Sequence, residues 1–579
     1  NTLEDIDGIA VKYHIRYILR ILWEKLMGRQ IRIIVKKWLD DHLFKEIMKI
    51  ADYLGYYRGE GSVFKINIGK AIANGYTIED IVNLLEEVGV EVSQEDLEFI
   101  RESYRDKTLI GMKWDDSRGE VITHIPWSIY KIVKEDIRGF GAKYIGKDDY
   151  GIMYSIRADK LYDFRKYVED SGFSLDDSDN LTIDKRLSFR LEFTGKLRDY
   201  QEEALRKWID NGGKGIIALP TGSGKTVIAI AAIPVINRRT LIVTYTKEQM
   251  FQWREMIYRF TDIDKFYVGL FYAEVKRLAP ITITTYQSAF RNIGILGRYY
   301  DFLIIDECHH LPADKFRTIA IHSIAPYRMG LSATVVREDG KHVELFPLMG
   351  GVIYHITAAE LSARGYLARY RVYTVKVRLA PDEIKEYREL RKTFRVLAGN
   401  RGFKEVLEAA RKGDKKAADA LRIHSRLRLL VANSKNKIKK AVEIARKELK
   451  SGNKIIIFTQ YIEQAKKISE ELNAYLLTGE LDSKTRKRIL VEFKKVPTGI
   501  LVVTTVGDEG LDIPDANVGI LVSGTGSRRQ FIQRLGRLLR PKPGNQEAKL
   551  YEIVIEGTPD EYLSRKRKSI LFDYSDLNT

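Results

Sequence analysis

Apolar residues recur along this chain with three different periods, and the changes of period divide it. In residues 1–105 they return at helical spacing, first as Ile15, Leu19, Leu22 and Leu26, then as Ile81, Leu84, Leu85 and Val88. A stripe of this kind marks helices with one buried face. The stretch therefore reads as a mostly helical N-terminal region without a catalytic motif, either a binding module or an accessory packing element. Across 106–190 the texture changes to short strand-like runs, Thr108–Lys113, Glu120–Ile125, Ala142–Ile145 and Ile152–Ile156, parted by Asp- and Gly-rich turns. A helix at Lys160–Asp170 follows, and the pattern predicts a small α+β domain. The polar, acidic stretch Ser174–Lys185 reads as a linker.

From Lys196 onward the apolar runs are continuous rather than alternating. Gly215–Leu219, Thr240–Thr244, Ile281–Thr284 and Phe302–Ile305 are separated by helical segments, and the texture returns at Lys454–Phe458, Gly499–Thr504 and Val518–Val522. Unbroken β-branched runs joined by helices predict parallel strands covered on both faces. The chain thus parses as two α/β domains, 191–375 and 431–579, around a basic helical segment at 376–430.

Length and composition narrow the class. A chain of 579 residues is too long for one core, and 44% hydrophobic residues suit a globular protein. The longest apolar run, Val227–Ile236, is too short to span a bilayer and reads as a buried helix. The N-terminus lacks a signal-peptide pattern, and residue 1 is Asn, so it is not expected to be the translation start. A single cysteine, Cys308, rules out a disulfide framework and points to an intracellular setting. The wealth of Lys, Arg and Glu would suit a thermophile. The net charge of +18 is uneven. Residues 1–196 hold about 31 basic and 35 acidic side chains, whereas 361–450 alone hold about 26 and 10, a surplus that favours a polyanion. A solvated basic face is the competing account.

The chemistry begins at Pro220-Thr221-Gly222-Ser223-Gly224-Lys225-Thr226, after a strand and before a helix. Glycines there let backbone N–H groups approach phosphate oxygens at a helix N-terminus. Lys225 would reach the β- and γ-phosphates of ATP, and the Thr226 hydroxyl would face Mg²⁺. Leu219 stands where this motif usually begins with glycine. The strand Phe302–Ile305 then ends in Asp306-Glu307-Cys308-His309-His310. A carboxylate at a strand end suits Mg²⁺, here Asp306, and Glu307 is placed to polarise the attacking water. Three consecutive residues wrap one metal ion poorly, and no Cys–His pair elsewhere supports Cys308 as a nucleophile.

From 196 to 556 the chain resembles superfamily 2 helicases. Leu197-Arg198-Asp199-Tyr200-Gln201 stands where that superfamily recognises adenine, with Arg198 and Gln201 as the implied contacts. Ser332-Ala333-Thr334 matches the motif that couples ATP state to nucleic acid, and Thr504 through Pro514 matches a later motif with Gly510 and Asp512 near the nucleotide. Gln533-Arg534-Leu535-Gly536-Arg537-Leu538-Leu539-Arg540 supplies Gln533 and two arginines three residues apart, Arg537 and Arg540, as implied fingers for the γ-phosphate. The finer resemblance is to the XPB family, above all its archaeal members. Arg337-Glu338-Asp339 matches that family's RED motif for strand separation, and the basic segment occupies the place of its thumb. The domain at 106–190 resembles, more weakly, the family's damage-recognition domain.

The resemblance implies two RecA-like parallel-sheet domains with a helical thumb insertion. It implies a 3′–5′ DNA helicase or translocase driven by ATP and Mg²⁺, acting in nucleotide excision repair or transcription. Thr246 and Thr285 of the first domain and Thr478 and Thr505 of the second would alternately hold DNA phosphates. An RNA helicase, or an ATP-driven clamp that serves a partner nuclease, are the rival readings. The family relation further implies forked or bubble DNA as substrate, a monomeric motor without membrane attachment, and the cytoplasm of an archaeal cell.

Overall fold

The computed structural model describes residues 30–333, 341–367, 370–504, 516–523 and 548–568. Among them no helix is long and apolar enough to cross a membrane. The N-terminal part is less helical than its periodicity predicts. Strands β1 (Arg32–Val35), β2 (Ala51–Tyr57) and β3 (Gly61–Ile66) form an antiparallel sheet in the order β1-β3-β2. Helices Asp41–Ile50, Ile68–Ala73, Ile78–Glu87 and Gln94–Lys107 surround it. The sheet escaped the pattern because β1 is four residues long and β2 is broken by a register shift between Tyr53 and Gly55. Gly61 closes the β2–β3 turn at φ +118°, where a Cβ would meet the Val35 carbonyl oxygen at 2.4 Å.

Five strands follow: β4 (Leu109–Asp115), β5 (Glu120–Pro126), β6 (Lys143–Lys147), β7 (Gly151–Ile156) and β8 (Ser174–Asp177), in the order β6-β7-β5-β4-β8. The acidic stretch after 173 is therefore not all linker. Its first four residues pair with β4 in parallel, and Asp177 then turns the chain by accepting the N–H groups of Leu181 and Thr182. Acidic composition concealed an edge strand. This sheet is fastened to the next domain through backbone contacts. The Trp114 indole donates to the Gly294 carbonyl at 2.6 Å, and His322 Nδ1 lies 2.7 Å from the Gly119 carbonyl. A side chain at 294 would collide with Asp116, whose carbonyl oxygen would lie 1.8 Å from the added Cβ.

The first α/β domain carries β9 (Lys214–Ala218), β10 (Thr240–Thr244), β11 (Val268–Phe271), β12 (Ile281–Thr285), β13 (Phe302–Asp306), β14 (Tyr327–Ser332) and β15 (Val352–His355). All pair in parallel, in the order β11-β12-β10-β13-β14-β9-β15. The second sheet contains β16 (Tyr370–Val377), β17 (Lys454–Phe458), β18 (Tyr475–Leu477), β19 (Gly499–Val503), β20 (Val518–Leu521) and β21 (Ala548–Ile555), again parallel, in the order β16-β21-β20-β17-β19-β18. These are two RecA-like domains. The boundary drawn at 375 needs correction, since β16 lies in the second sheet beside β21, its partner by more than 170 residues of sequence separation. Local pattern carries no trace of such a pairing. Helices Pro381–Ala398, Phe403–Arg411 and Lys415–Ala432 occupy the basic segment and share a small core of Ala398, Val406, Ala417 and Ala420.

Candidate functional site

The ends of β9 and β13 bring the two leading motifs together. After β9 the chain turns through Gly222 (φ +85°) and Gly224 (φ +81°) into the helix Lys225–Ile236. These left-handed conformations suit glycine. A Cβ on Gly224 would also meet the Gln201 amide nitrogen at 2.5 Å. The helix is apolar all round, and Ile228 through Ile233 are buried, which anchors its N-terminus firmly beneath the loop. Lys225 Nζ donates to the Leu219 and Pro220 carbonyls at 2.9 and 3.3 Å. Burial pulls its pKa below the ordinary lysine value, while Glu307 and Asp306 oppose that shift. Ser223 points inward, donating to Pro220 O at 2.7 Å, and the buried Thr221 hydroxyl finds no hydrogen-bond partner among the described residues.

Gln201 sits behind this loop, 4% exposed. Its amide N–H donates to the Ser223 carbonyl at 2.9 Å, and its amide oxygen accepts the Arg198 N–H at 2.9 Å. Tyr200, which the motif reading passed over, donates its hydroxyl to the same Ser223 carbonyl at 2.5 Å. Arg198 reaches the Tyr200 hydroxyl at 3.2 Å and lies over the Tyr366 ring. The 197–201 segment thus buttresses the loop that carries Ser223 and Gly224.

Asp306 closes β13 and is 9% exposed. One carboxylate oxygen accepts the Trp253 indole N–H at 2.8 Å, and the other accepts the Glu307 N–H at 3.0 Å. Burial raises its pKa, whereas the Trp253 hydrogen bond and the Lys225 charge lower it. Glu307 adopts a left-handed conformation at φ 49°, ψ 50°, a costly one for a non-glycine residue. The Tyr286 hydroxyl spans that turn, lying 3.1 Å from the Asp306 carbonyl and 3.2 Å from that of Glu307. His309 Nδ1 lies 3.3 Å from the Glu307 carboxylate and 2.8 Å from Ser332 Oγ. His310 instead stacks on Tyr245, with ring centroids 3.9 Å apart. Cys308 is fully buried, and burial raises its thiol pKa, so the thiolate is suppressed.

Thr246 lies two residues beyond β10, and Thr285 is the last residue of the neighbouring β12. Both are helix N-caps: Thr246 accepts from Gln249 N, and Thr285 accepts from Ser288 N. Thr478 is buried just after β18. Arg337, Glu338, Asp339, Thr505, Gly510, Asp512, Gln533, Arg537 and Arg540 lie outside the described residues. Trp253, Tyr286 and Tyr200 were missed because each is an aromatic at helical spacing, which in sequence reads only as core.

Residues 194–337 match the family model for the res subunit of type III restriction enzymes, and residues 418–575 match the ERCC3/RAD25/XPB C-terminal helicase. A protein of Sulfurisphaera tokodaii named DNA 3′-5′ translocase XPB2 is 38% identical over 425 residues, covering 72% of this chain and 93% of that protein. The chain belongs to the XPB family. The DNA 3′-5′ helicase XPB of Kineococcus radiotolerans is 31% identical over 65% of this chain and 62% of its own length. Of the XPB subunit of general transcription and DNA repair factor IIH from Dictyostelium discoideum, the chain spans 48% at 30% identity. Among solved structures, the Hef helicase domain of Pyrococcus furiosus aligns with 64% of this chain at 23% identity and a TM-score of 0.46.

Proposed function

We propose that this XPB-family chain is an ATP-hydrolysing DNA motor that moves 3′ to 5′ and opens duplex DNA. The observation that carries the reading is the meeting of Lys225 with Asp306 and Glu307 at the C-terminal ends of β9 and β13, the same end of the sheet that carries the helix caps Thr246 and Thr285. The direction of travel comes from the names of the relatives.

The loop fits a nucleotide with Mg²⁺. Its glycines hold positive φ, the Thr221 hydroxyl is buried without a described partner, and the Lys225 ammonium rests on carbonyls of its own loop. Lys225 would exchange those carbonyls for phosphate oxygens. Thr226 and Asp306 would hold Mg²⁺, which supplies charge neutralisation on the phosphates. Glu307, held by Tyr286 and His309, would orient water and accept its proton. Arg537 and Arg540 would approach from the second domain as the cleft closes, stabilising charge on the transferred phosphoryl group. Thr246 and Thr285 would hold backbone phosphates over helix N-termini, a sequence-independent grip with steep salt dependence.

The experiment is ATP hydrolysis by the native chain and Lys225→Ala, without nucleic acid and with single-stranded DNA, forked DNA or RNA. Stimulation by DNA with a dead variant is the expected result. Stimulation by RNA alone would overturn the choice of polymer, and activity in Lys225→Ala would overturn the site.

A further inference from the structure

Two helices lead from the proposed DNA grip to Asp306 and Glu307, and each reaches them through a hydrogen bond. The helix Lys247–Phe260 begins at its cap Thr246, and seven residues on, about 10 Å along the axis, it presents Trp253. That indole is 2% exposed, and its N–H donates to the Asp306 carboxylate at 2.8 Å. The helix Tyr286–Arg291 begins at its cap Thr285, and its first residue is Tyr286. This phenol is fully buried, and its hydroxyl bridges the carbonyls of Asp306 and Glu307.

We infer that Trp253 and Tyr286 are positioning residues through which the seating of a DNA strand at Thr246 and Thr285 sets the geometry of Asp306 and Glu307. The inference rests on the motor reading above. The two contacts divide the task. Trp253 holds a side-chain oxygen of Asp306, so it governs how that carboxylate is turned. Tyr286 holds main-chain oxygens on both sides of the left-handed Glu307 turn, so it governs where the Glu307 side chain points.

Neither link has slack. Thr246 is locked to its helix by a capping box, with Gln249 accepting the N–H groups of Tyr245 and Thr246 at 3.1 Å. The Tyr286 ring is wedged edge-on against Phe316 at 5.0 Å and Tyr245 at 6.0 Å. A shift of either cap must therefore move the hydrogen-bonding group with it, since close-packed side chains transmit displacement rather than absorb it. Glu307 is the responsive element. Its conformation is uphill for an L-residue, so loss of the bridging hydroxyl lets the turn relax toward ordinary dihedrals.

Tyr286→Phe and Trp253→Phe test this in the full chain, with nucleotide binding, DNA binding and ATP turnover measured separately. Tyr286→Phe deletes one oxygen from a packed ring, and it keeps the test decisive if the smaller ring at 253 fails to fold. The expected result is nucleotide and DNA affinities near native, with DNA-stimulated kcat reduced roughly tenfold or more, as for outer contacts that orient catalytic ligands. Trp253→Phe should in addition raise the Mg²⁺ concentration needed for half-maximal turnover. Native DNA stimulation in Tyr286→Phe, or a loss explained by weakened binding of either ligand, would overturn the inference and leave the motor reading intact. Absence of DNA stimulation in the native chain would overturn both.

Discussion

His309 Nδ1 lies 2.8 Å from the Ser332 hydroxyl and 3.3 Å from the Glu307 carboxylate, so one buried imidazole joins the end of β14 to the turn after β13. Ser332 opens the Ser-Ala-Thr motif and is fully buried. The imidazole is therefore a direct physical connection between Ser332 and the residue proposed to orient water. Ser332→Ala removes one end of it. ATP hydrolysis should persist at a reduced rate while strand separation per ATP consumed falls. Parallel assays of phosphate release and fork unwinding check this, and equal losses in both would argue against a linking role.

Arg328 presents a different kind of buried charge. Its guanidinium, 4% exposed, donates to the carbonyls of Ala320, Ser323, Ala325 and Leu348. Ala320 and Leu348 belong to the short helices Arg317–Ile321 and Leu345–Met349, and Ser323 and Ala325 to the loop before β14, at the end of the sheet away from Lys225. Arg328→Met leaves four buried acceptors short of donors and should destabilise the first domain by about 3–5 kcal/mol. Arg328→Lys should rescue little, since a single ammonium cannot reproduce the planar fork. Denaturant unfolding of both variants measures the difference.

The third helix of the basic segment carries Arg422, Arg426 and Arg428, all exposed. Arg422 pairs with Asp419 at 3.0 Å and Arg426 with Glu386 at 3.7 Å. Exposed pairs of this kind stabilise by ~0–1 kcal/mol and yield readily to phosphate. Replacing the three together with Ala should weaken DNA binding and flatten its salt dependence by about three counterions or fewer, without changing nucleotide affinity. Unchanged DNA affinity in a titration across salt concentrations would demote the segment to a structural insertion.

Glu448 gives the second domain a pH dependence. From the helix Lys435–Lys450 it accepts from Lys549 and Tyr551 of β21 and from Asn453, at 2.6–3.1 Å. Burial, the largest single influence, raises its pKa, but the hydrogen bonds from Tyr551, Lys549 and Asn453 and the Lys549 charge together outweigh it, and the net shift is downward. A carboxyl whose folded pKa is depressed contributes stability above its unfolded value of about 4.3, lost as pH falls through the folded one. Glu448→Gln should therefore be less stable than the native chain at neutral pH and converge with it in acid. Melting curves from pH 7 to 3 test the convergence.

Residue patterns alone were sufficient for the two parallel sheets, because unbroken runs such as Phe302–Ile305 and Lys454–Phe458 have few other ways to be buried. They also sufficed to nominate Lys225, Asp306 and Glu307, since the phosphate loop and the carboxylate pair are each local in sequence. Tertiary structure alone decided which strand lies beside which, including the assignment of Tyr370–Val377 to the second sheet. It likewise revealed the three-stranded sheet within residues 32–66, whose strands are too short or too irregular to overcome a helical periodicity. Above all it decided what holds the proposed catalytic groups. Trp253, Tyr286 and His309 reach Asp306, Glu307 and Ser332 from other elements of the first domain. A hydrogen bond across 53 residues of chain leaves no local periodicity by which it could have been found, because only packing brings its two ends together.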